Sequence, residues 1–356
     1  MPESFSFLKN LDIPPAWEEA ARRFLEEGGL ALVLGAAGTG KSTLCQYLIY
    51  RAYVAGEPVA LVDLDLGQSH LGPPGALGLG LFPPRFPGDY GLFPEGLYFV
   101  GQTSPVGVIL EVSVGCRRLV DEARTRGVNR VVVNTSGLVS GPAAWRLKQA
   151  QVELLHPTLL LALAQERELA PLLASLSHGS RTLELPVSPR AVLRGPEDRR
   201  QYRETRFRRY FDRARRVDLP LSQIAWHGPP LGWGKPLAPK ELDRWSSRLG
   251  EQVLYGAARD SQTVLLLDLA GPDTPCPEAP EQVHLLKREA LDHHLVGLWD
   301  SSHRTLALGI LLPSDWQEGQ VRVWTPLPAA QESAVSSLSL GRLKLSLSGR
   351  ELASGT

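Results

Sequence analysis

Cysteine is scarce in this chain: there are three in 356 residues, Cys45, Cys116 and Cys276, far apart and without a CxxC pair. That pattern excludes a disulfide framework and a thiolate zinc site, and all three are read as packed thiols. No apolar run reaches the roughly 18 residues that suggest a membrane-spanning helix. The opening Met1-Pro2-Glu3-Ser4-Phe5 lacks the basic-then-apolar layout of a secretory signal, so a cytoplasmic protein without membrane attachment is expected. Net charge is missing as well, since 38 Lys and Arg balance 38 Asp and Glu. A protein that coats nucleic acid through bulk charge is thereby excluded, whereas a local basic patch is not.

One such patch is present. Between Arg199 and Arg216, nine arginines accompany two acids, Glu204 and Asp212. The remainder, 43% hydrophobic and 21% charged, has the make-up of a globular protein. Its length fits one large domain and a smaller one.

Short apolar runs at Ala31–Leu34, Val59–Val62, Leu97–Val100, Arg130–Val133, Thr158–Leu163 and Thr182–Val187 read as buried strands. Helical stretches separate most of them, the first from Lys41 to about Ala55. This alternation predicts an α/β fold, a parallel sheet with helices on both faces and ligands at the C-terminal strand ends. Glycine and proline crowd the segment Leu71–Pro94, including Pro87-Gly88, which predicts a long ordered loop there. From Asp218 onward short strands are expected at Thr263–Leu267, Leu306–Leu312, Val321–Trp324 and the alternating Leu343, Leu345, Leu347. The expected domains are 1–217, with an arginine-rich lid at about 196–216, and a mostly β domain, 218–356.

Between the first strand and the first helix lies Gly35-Ala36-Ala37-Gly38-Thr39-Gly40-Lys41-Ser42, followed by Thr43. This is the P-loop pattern of nucleoside-triphosphatases and kinases at every fixed position. Its glycines let backbone N–H groups turn toward phosphates, Lys41 reaches the β- and γ-phosphates of ATP or GTP, and the Ser42 hydroxyl ligates Mg²⁺. Asp63 and Asp65 end the next strand, 22 and 24 residues after Lys41. A carboxylate there can hold the metal or take a proton from an attacking hydroxyl, and the sequence leaves open which aspartate does which. Asn134-Thr135-Ser136-Gly137 ends a further strand at the same sheet edge. In a helix over 199–216, Arg199, Arg203 and Arg206 share one face, the layout of a lid that closes on phosphates, with Tyr202, Phe207, Tyr210 and Phe211 packing elsewhere. Two other patterns are read as structural: Leu267-Asp268-Leu269-Ala270-Gly271 as strand and turn, and His293-His294 as packing or surface residues.

These segments together resemble the polynucleotide 5′-hydroxyl kinases, the family of the kinase subunit of eukaryotic pre-mRNA cleavage and tRNA-splicing complexes, the nucleolar rRNA-processing kinase, and shorter archaeal and bacterial members. The resemblance runs through Ile13-Pro14-Pro15-Ala16-Trp17, the P-loop, Asp63-Leu64-Asp65-Leu66-Gly67-Gln68, Gly101-Gln102-Thr103-Ser104-Pro105, Asn134–Gly137, Arg199–Phe211, Leu295–Leu298 and Leu306–Leu312. It implies transfer of the γ-phosphate of ATP to a 5′-hydroxyl end of RNA, and of DNA as a further acceptor. It also implies that Gln68, Gln102, Thr103, Ser104, Thr135 and Ser136 line the acceptor cleft and that Gln165 approaches the adenine. The large N-terminal domain of the eukaryotic members is missing, so no obligate protein partner is expected. Leu138 stands where some RNA-specific members carry a tryptophan that stacks on the acceptor base, and Trp145 is the nearest aromatic substitute. The alternatives are a nucleotide-bound scaffold in RNA processing and an ATPase or GTPase switch; no NKxD guanine motif is found for the latter.

Overall fold

The apolar runs between turn residues become strands β1 (Leu30–Gly35), β2 (Val59–Asp63), β3 (Ala76–Phe82), β4 (Gly96–Phe99), β5 (Val131–Asn134), β6 (Leu159–Ala164) and β7 (Arg181–Pro186) of one sheet, in the order β4-β3-β2-β5-β1-β6-β7. The computed structural model describes residues 13–84, 94–176, 179–269, 271, 274–313 and 319–352. Two compact units divide the chain, Met1–Tyr210 and Phe211–Thr356.

In the first unit β2, β5, β1, β6 and β7 run parallel. Strand β1 is buried along its whole length because helices cover both faces. Leu30, Leu32 and Leu34 alternate into a core shared with α3 (Ile109–Thr125), α4 (Gly141–Leu155) and α5 (Ala170–Leu176). Ala31 and Val33 face the opposite core, built with α1 (Pro15–Glu27) and α2 (Lys41–Ala55). Helix α1 starts at Pro15, which its fixed φ suits to a first turn, and buries Trp17, Ala20, Ala21 and Phe24 at helical spacing. Helix α6 (Pro196–Phe211) closes the unit.

Two expectations are corrected here. The stretch 71–94 is not all loop: Ala76–Phe82 is an antiparallel strand between β2 and β4. Its glycines hid it, yet they are what permits it. A Cβ on Gly78 would sit 2.7 Å from the Leu71 carbonyl, so only glycine lets the chain cross there. Residues 85–93, with Pro87-Gly88, lie outside the described set, as do Met1–Phe5. The basic helix ends at Phe211, and Arg215 and Arg216 already belong to a strand.

The second unit is mostly β. Strands β8 (Arg215–Pro220), β9 (Ala225–His227), β14 (His294–Trp299), β15 (Thr305–Leu311), β16 (Gln320–Thr325), β17 (Ser337–Leu345) and β18 (Glu351–Leu352) form one sheet. Strands β10 (Lys235–Pro236), β11 (Gln252–Arg259), β12 (Gln262–Asp268) and β13 (Val283–Lys287), with helix α7 (Pro239–Leu249), form a smaller one. Leu267-Asp268 ends β12, and Asp268 pairs with Arg288 at 3.0 Å; Ala270 lies outside the described residues. His293 occupies a left-handed turn, and the His294 ring bonds the Gly341 carbonyl at 2.7 Å. Leu347 falls beyond β17 and is exposed. Cys45 and Cys116 are buried, but Cys276 is exposed and corrects the reading of three packed thiols.

Candidate active site

Parallel pairing brings the C-terminal ends of β1, β5 and β2 side by side. Val33 pairs with Asn134, and Asn134 with Asp63. The loops leaving these ends build the site.

The loop 35–42 leaves β1 and enters α2 through Gly40, whose φ of 93° an L side chain would strain. Gly35 admits Thr39: a Cβ there would stand 2.6 Å from the Thr39 hydroxyl, which donates to the Ala36 carbonyl at 2.9 Å. Lys41 is buried and its Nζ donates to the same carbonyl at 2.7 Å. Burial pulls its ammonium below the usual lysine range, while Asp65, Cys45 and Asp63 act in the opposite sense. Ser42 and Thr43 open the helix, and the Ser42 hydroxyl accepts the Asn134 amide at 3.2 Å.

The two aspartates have different surroundings. Asp63 is fully enclosed (0% exposed) and accepts five hydrogen bonds: Asp65 N at 3.1 Å and Asn134 Nδ2 at 2.9 Å on Oδ1, and His70 N at 2.7 Å, Leu71 N at 3.3 Å and the Ser69 hydroxyl at 3.3 Å on Oδ2. It folds the 65–71 loop around itself. Burial raises its pKa, against the pull of the His70 side. Asp65 is half-buried, and its Oδ1 accepts Gly67 N at 3.1 Å and Gln68 N at 2.9 Å. Its Oδ2 has no hydrogen-bond partner among the described residues.

The remaining acceptor-side residues follow from this frame. Gly67 packs on the Thr103 carbonyl, 3.0 Å from where a Cβ would be, so the 65–71 and 101–107 loops meet. Gln102 is buried and its amide donates to the Ser104 and Val106 carbonyls, shaping its own turn. Thr103 and Gln68 are half-buried, and Ser104 is exposed. Thr135 is turned inward, its hydroxyl donating to the Val33 carbonyl at 2.8 Å. Ser136 is buried with its hydroxyl unpartnered, as is the Asn134 Oδ1. Gln165 is exposed just after β6, with its N–H on the Glu168 carboxylate at 3.0 Å.

Helix α6 docks on the aspartate loop. The Tyr202 hydroxyl donates to the Ser69 carbonyl at 3.0 Å, and Arg206 donates from one nitrogen to the His70 and Gly72 carbonyls at 2.9 and 2.8 Å. Arg206 is buried, so its guanidinium latches the helix to the loop in place of the phosphate-facing position expected for it. Arg199 and Arg203 are half-buried. Sequence reasoning missed Arg194, whose guanidinium lies 4.7 Å from the centre of the Tyr202 ring. It also missed the preceding Leu193, whose Cα would be 2.9 Å from a Cβ on Gly38, so that Leu193 lies against the P-loop. The signal was positional: this segment leaves the C-terminal end of β7, the sheet edge where ligands gather.

An all-oxygen donor set suits Mg²⁺, which needs one or two carboxylates when phosphates and water complete its shell. Ser42 and the open oxygen of Asp65 meet that description, while Asp63, whose own oxygens are engaged, would act on such an ion only through water.

Comparison with known proteins agrees with this geometry. A polyribonucleotide 5′-hydroxyl-kinase of Thermococcus kodakarensis is 32% identical over 325 residues, 90% of this chain and 89% of the relative. One of Pyrococcus furiosus is 29% identical over 344 residues, 96% and 95% of the two chains. The Xenopus laevis polyribonucleotide 5′-hydroxyl-kinase Clp1 is 34% identical over 200 residues, 54% of this chain and 45% of the relative. A solved Clp1p–Pcf11p complex shares the fold, with a TM-score of 0.60 at 13% identity over 96% of this chain and 80% of that one. Residues 35–213 match the family described as mRNA cleavage and polyadenylation factor CLP1, P-loop, and with the P-loop, the paired aspartates and the docked basic helix in place, the chain belongs to that family.

Proposed function

We propose that the protein transfers the γ-phosphate of ATP to the 5′-hydroxyl end of RNA. The observation that carries this reading is the split between the two aspartates: Asp63 is saturated by five donors, whereas Asp65 keeps one oxygen unengaged beside the P-loop. A scaffold has no need of such a base, whereas a kinase uses it on a hydroxyl acceptor and a hydrolase would use it on water, a difference the acceptor dependence below decides.

In this reading the N–H groups of 36–42 and the Lys41 ammonium bind the β- and γ-phosphates. Ser42, and through water Asp63, would hold Mg²⁺, which supplies charge neutralisation on the transferring group and leaves Asp65 Oδ2 to the acceptor. Asp65 Oδ2 takes the proton of the acceptor as the 5′ oxygen forms its bond to the γ-phosphorus and the bond to the β,γ-bridging oxygen breaks. ADP leaves and the proton remains on the Asp65 carboxyl. Arg194, Arg199 and Arg203 would stabilise charge on the moving phosphoryl group. The acceptor end lies along 67–69 and 101–104, with the exposed Trp145 on the first turn of α4 as a base platform. GTP as donor and DNA as acceptor are open to the same chemistry.

The test is end-labelling of matched 5′-hydroxyl RNA and DNA oligonucleotides from γ-labelled ATP. Labelling that disappears in Lys41→Ala supports the reading. Nucleotide hydrolysis that proceeds equally without acceptor, or no labelling of any oligonucleotide under saturating nucleotide and Mg²⁺, overturns it.

A further inference from the structure

Lys148 is fully enclosed (0% exposed) on the inner stripe of α4, beside Leu147 and one turn before Gln151. A buried ammonium is unfavourable unless a counter-charge meets it, and Lys148 forms no ion pair among the described residues. Its Nζ makes one hydrogen bond, to the Ser136 carbonyl at 3.0 Å. The charged and titratable groups near it are Lys41, which repels it, and Asp65 and Cys116, which attract it less. Burial, with Lys41, pulls the ammonium down to about 7.

The loop that Lys148 grips reaches the P-loop at two points. The Gly137 backbone lies against Ala37, where a Cβ would come within 2.7 Å of the Ala37 nitrogen. The Asn134 amide bridges the Ser42 hydroxyl and the Asp63 carboxylate at 3.2 and 2.9 Å. Any slackening of 134–137 therefore reaches Ser42 and Asp63 together.

We infer that Lys148 is a positioning residue for phosphoryl transfer, holding loop 134–137 from behind so that Asn134 keeps Ser42 and Asp63 in register. This rests on the kinase reading above. Lys148 touches none of the reacting groups, so its removal should slow the chemical step while leaving substrate binding intact. Lys148→Met keeps the unbranched side chain to within one atom of its length and removes both the charge and the donor. Its melting temperature should equal or exceed that of the parent, because replacing an unpaired buried charge by an apolar group is neutral or favourable. Its affinity for a fluorescent ATP analogue and its KM for a 5′-hydroxyl RNA should stay within about threefold, while kcat falls by about 30-fold or more. A folded Lys148→Met protein with kcat within about threefold of the parent overturns the inference, as does a loss of rate matched by an equal loss of nucleotide affinity. Should Lys148→Met fail to fold, Lys148→Gln, which keeps a donor on a shorter arm, is read by the same criteria. Absence of labelling by the unaltered chain would overturn the kinase reading and this inference with it. Labelling by the parent with unchanged kcat in the variant sinks this inference alone.

Discussion

Asp63 and Asp65 stand two residues apart, yet replacing each by asparagine should give opposite phenotypes. In Asp63→Asn the amide has one accepting oxygen for a site where two oxygens accept five bonds. If that oxygen keeps Asp65 N and Asn134 Nδ2, the new NH₂ group faces His70 N and Leu71 N, now donors without acceptors in a fully enclosed site. Losing a charged acceptor costs about 1.5–3 kcal/mol for each such bond, so two give about 3–6 kcal/mol. In a unit of this length, each kcal/mol lowers the melting temperature by about 2–4 °C, so a fall of at least about 6 °C is expected. The Ser69 and His70 carbonyls, which receive α6, loosen with the loop. Asp65→Asn differs because its Oδ1 holds Gly67 N and Gln68 N in a turn that asparagine forms equally well. Its stability should change by less than about 1 kcal/mol while end-labelling falls by about 100- to 10,000-fold with the loss of the base. Calorimetry and labelling on the two proteins decide the matter. An Asp63→Asn protein melting within about 2 °C of the parent refutes the clamp. An Asp65→Asn protein with more than about a tenth of the parental rate refutes the base.

Lys148 makes stability depend on pH. Its folded pKa, about 7, lies below that of a free lysine, so the unfolded chain binds more protons between the two values. Stability from this group is then full above the free-lysine value and is lost as pH falls toward 7. Urea unfolding should show stability rising with a slope of up to about 1.4 kcal/mol per pH unit above pH 7, and Lys148→Met should lose that rise. Arg206→Met removes the two bonds that latch α6 to the 69–72 loop, so amide exchange in α6 should report about 1–3 kcal/mol less local stability. At Gly38, φ is 79° and a Cβ would press on the Leu193 backbone at 2.9 Å. Gly38→Ala should therefore weaken binding of a fluorescent ATP analogue by about tenfold, the equivalent of the 1–2 kcal/mol that a left-handed alanine costs.

Much of the first unit was legible because parallel strands buried on both faces leave continuous apolar runs. The six expected strands fall within a residue or so of their observed limits. Strand β3 was not legible, because Gly78 and Gly80 lower its local preference and the reason for them, Leu71 crossing above, is a tertiary contact. The P-loop and the two aspartates could be found by spacing, since strand-end chemistry repeats at fixed offsets. Their division of labour could not, because it depends on which backbone N–H groups reach each carboxylate. Lys148 had left a trace. Ala144, Leu147, Gln151 and Leu155 mark the inner face of α4 at helical spacing, and Lys148 falls on it.

The roles that escaped sequence reading share one property: they act on backbone, not on substrate. Asp63 folds 65–71 through three backbone N–H groups, Arg206 and Tyr202 tie α6 to carbonyls of that same loop, and Lys148 holds a carbonyl of 134–137. Each is polar and placed where a pattern of apolar positions predicts nothing in particular. In the proposed reaction, what they leave for the chemistry is small: the Lys41 ammonium, the Ser42 hydroxyl, one oxygen of Asp65 and the arginines before and along α6. A site of so few reacting groups depends on their spacing, and that spacing is set by enclosed polar bonds that water cannot replace without opening the fold. Substitutions among the supports should therefore impair transfer although none of them touches a reacting group.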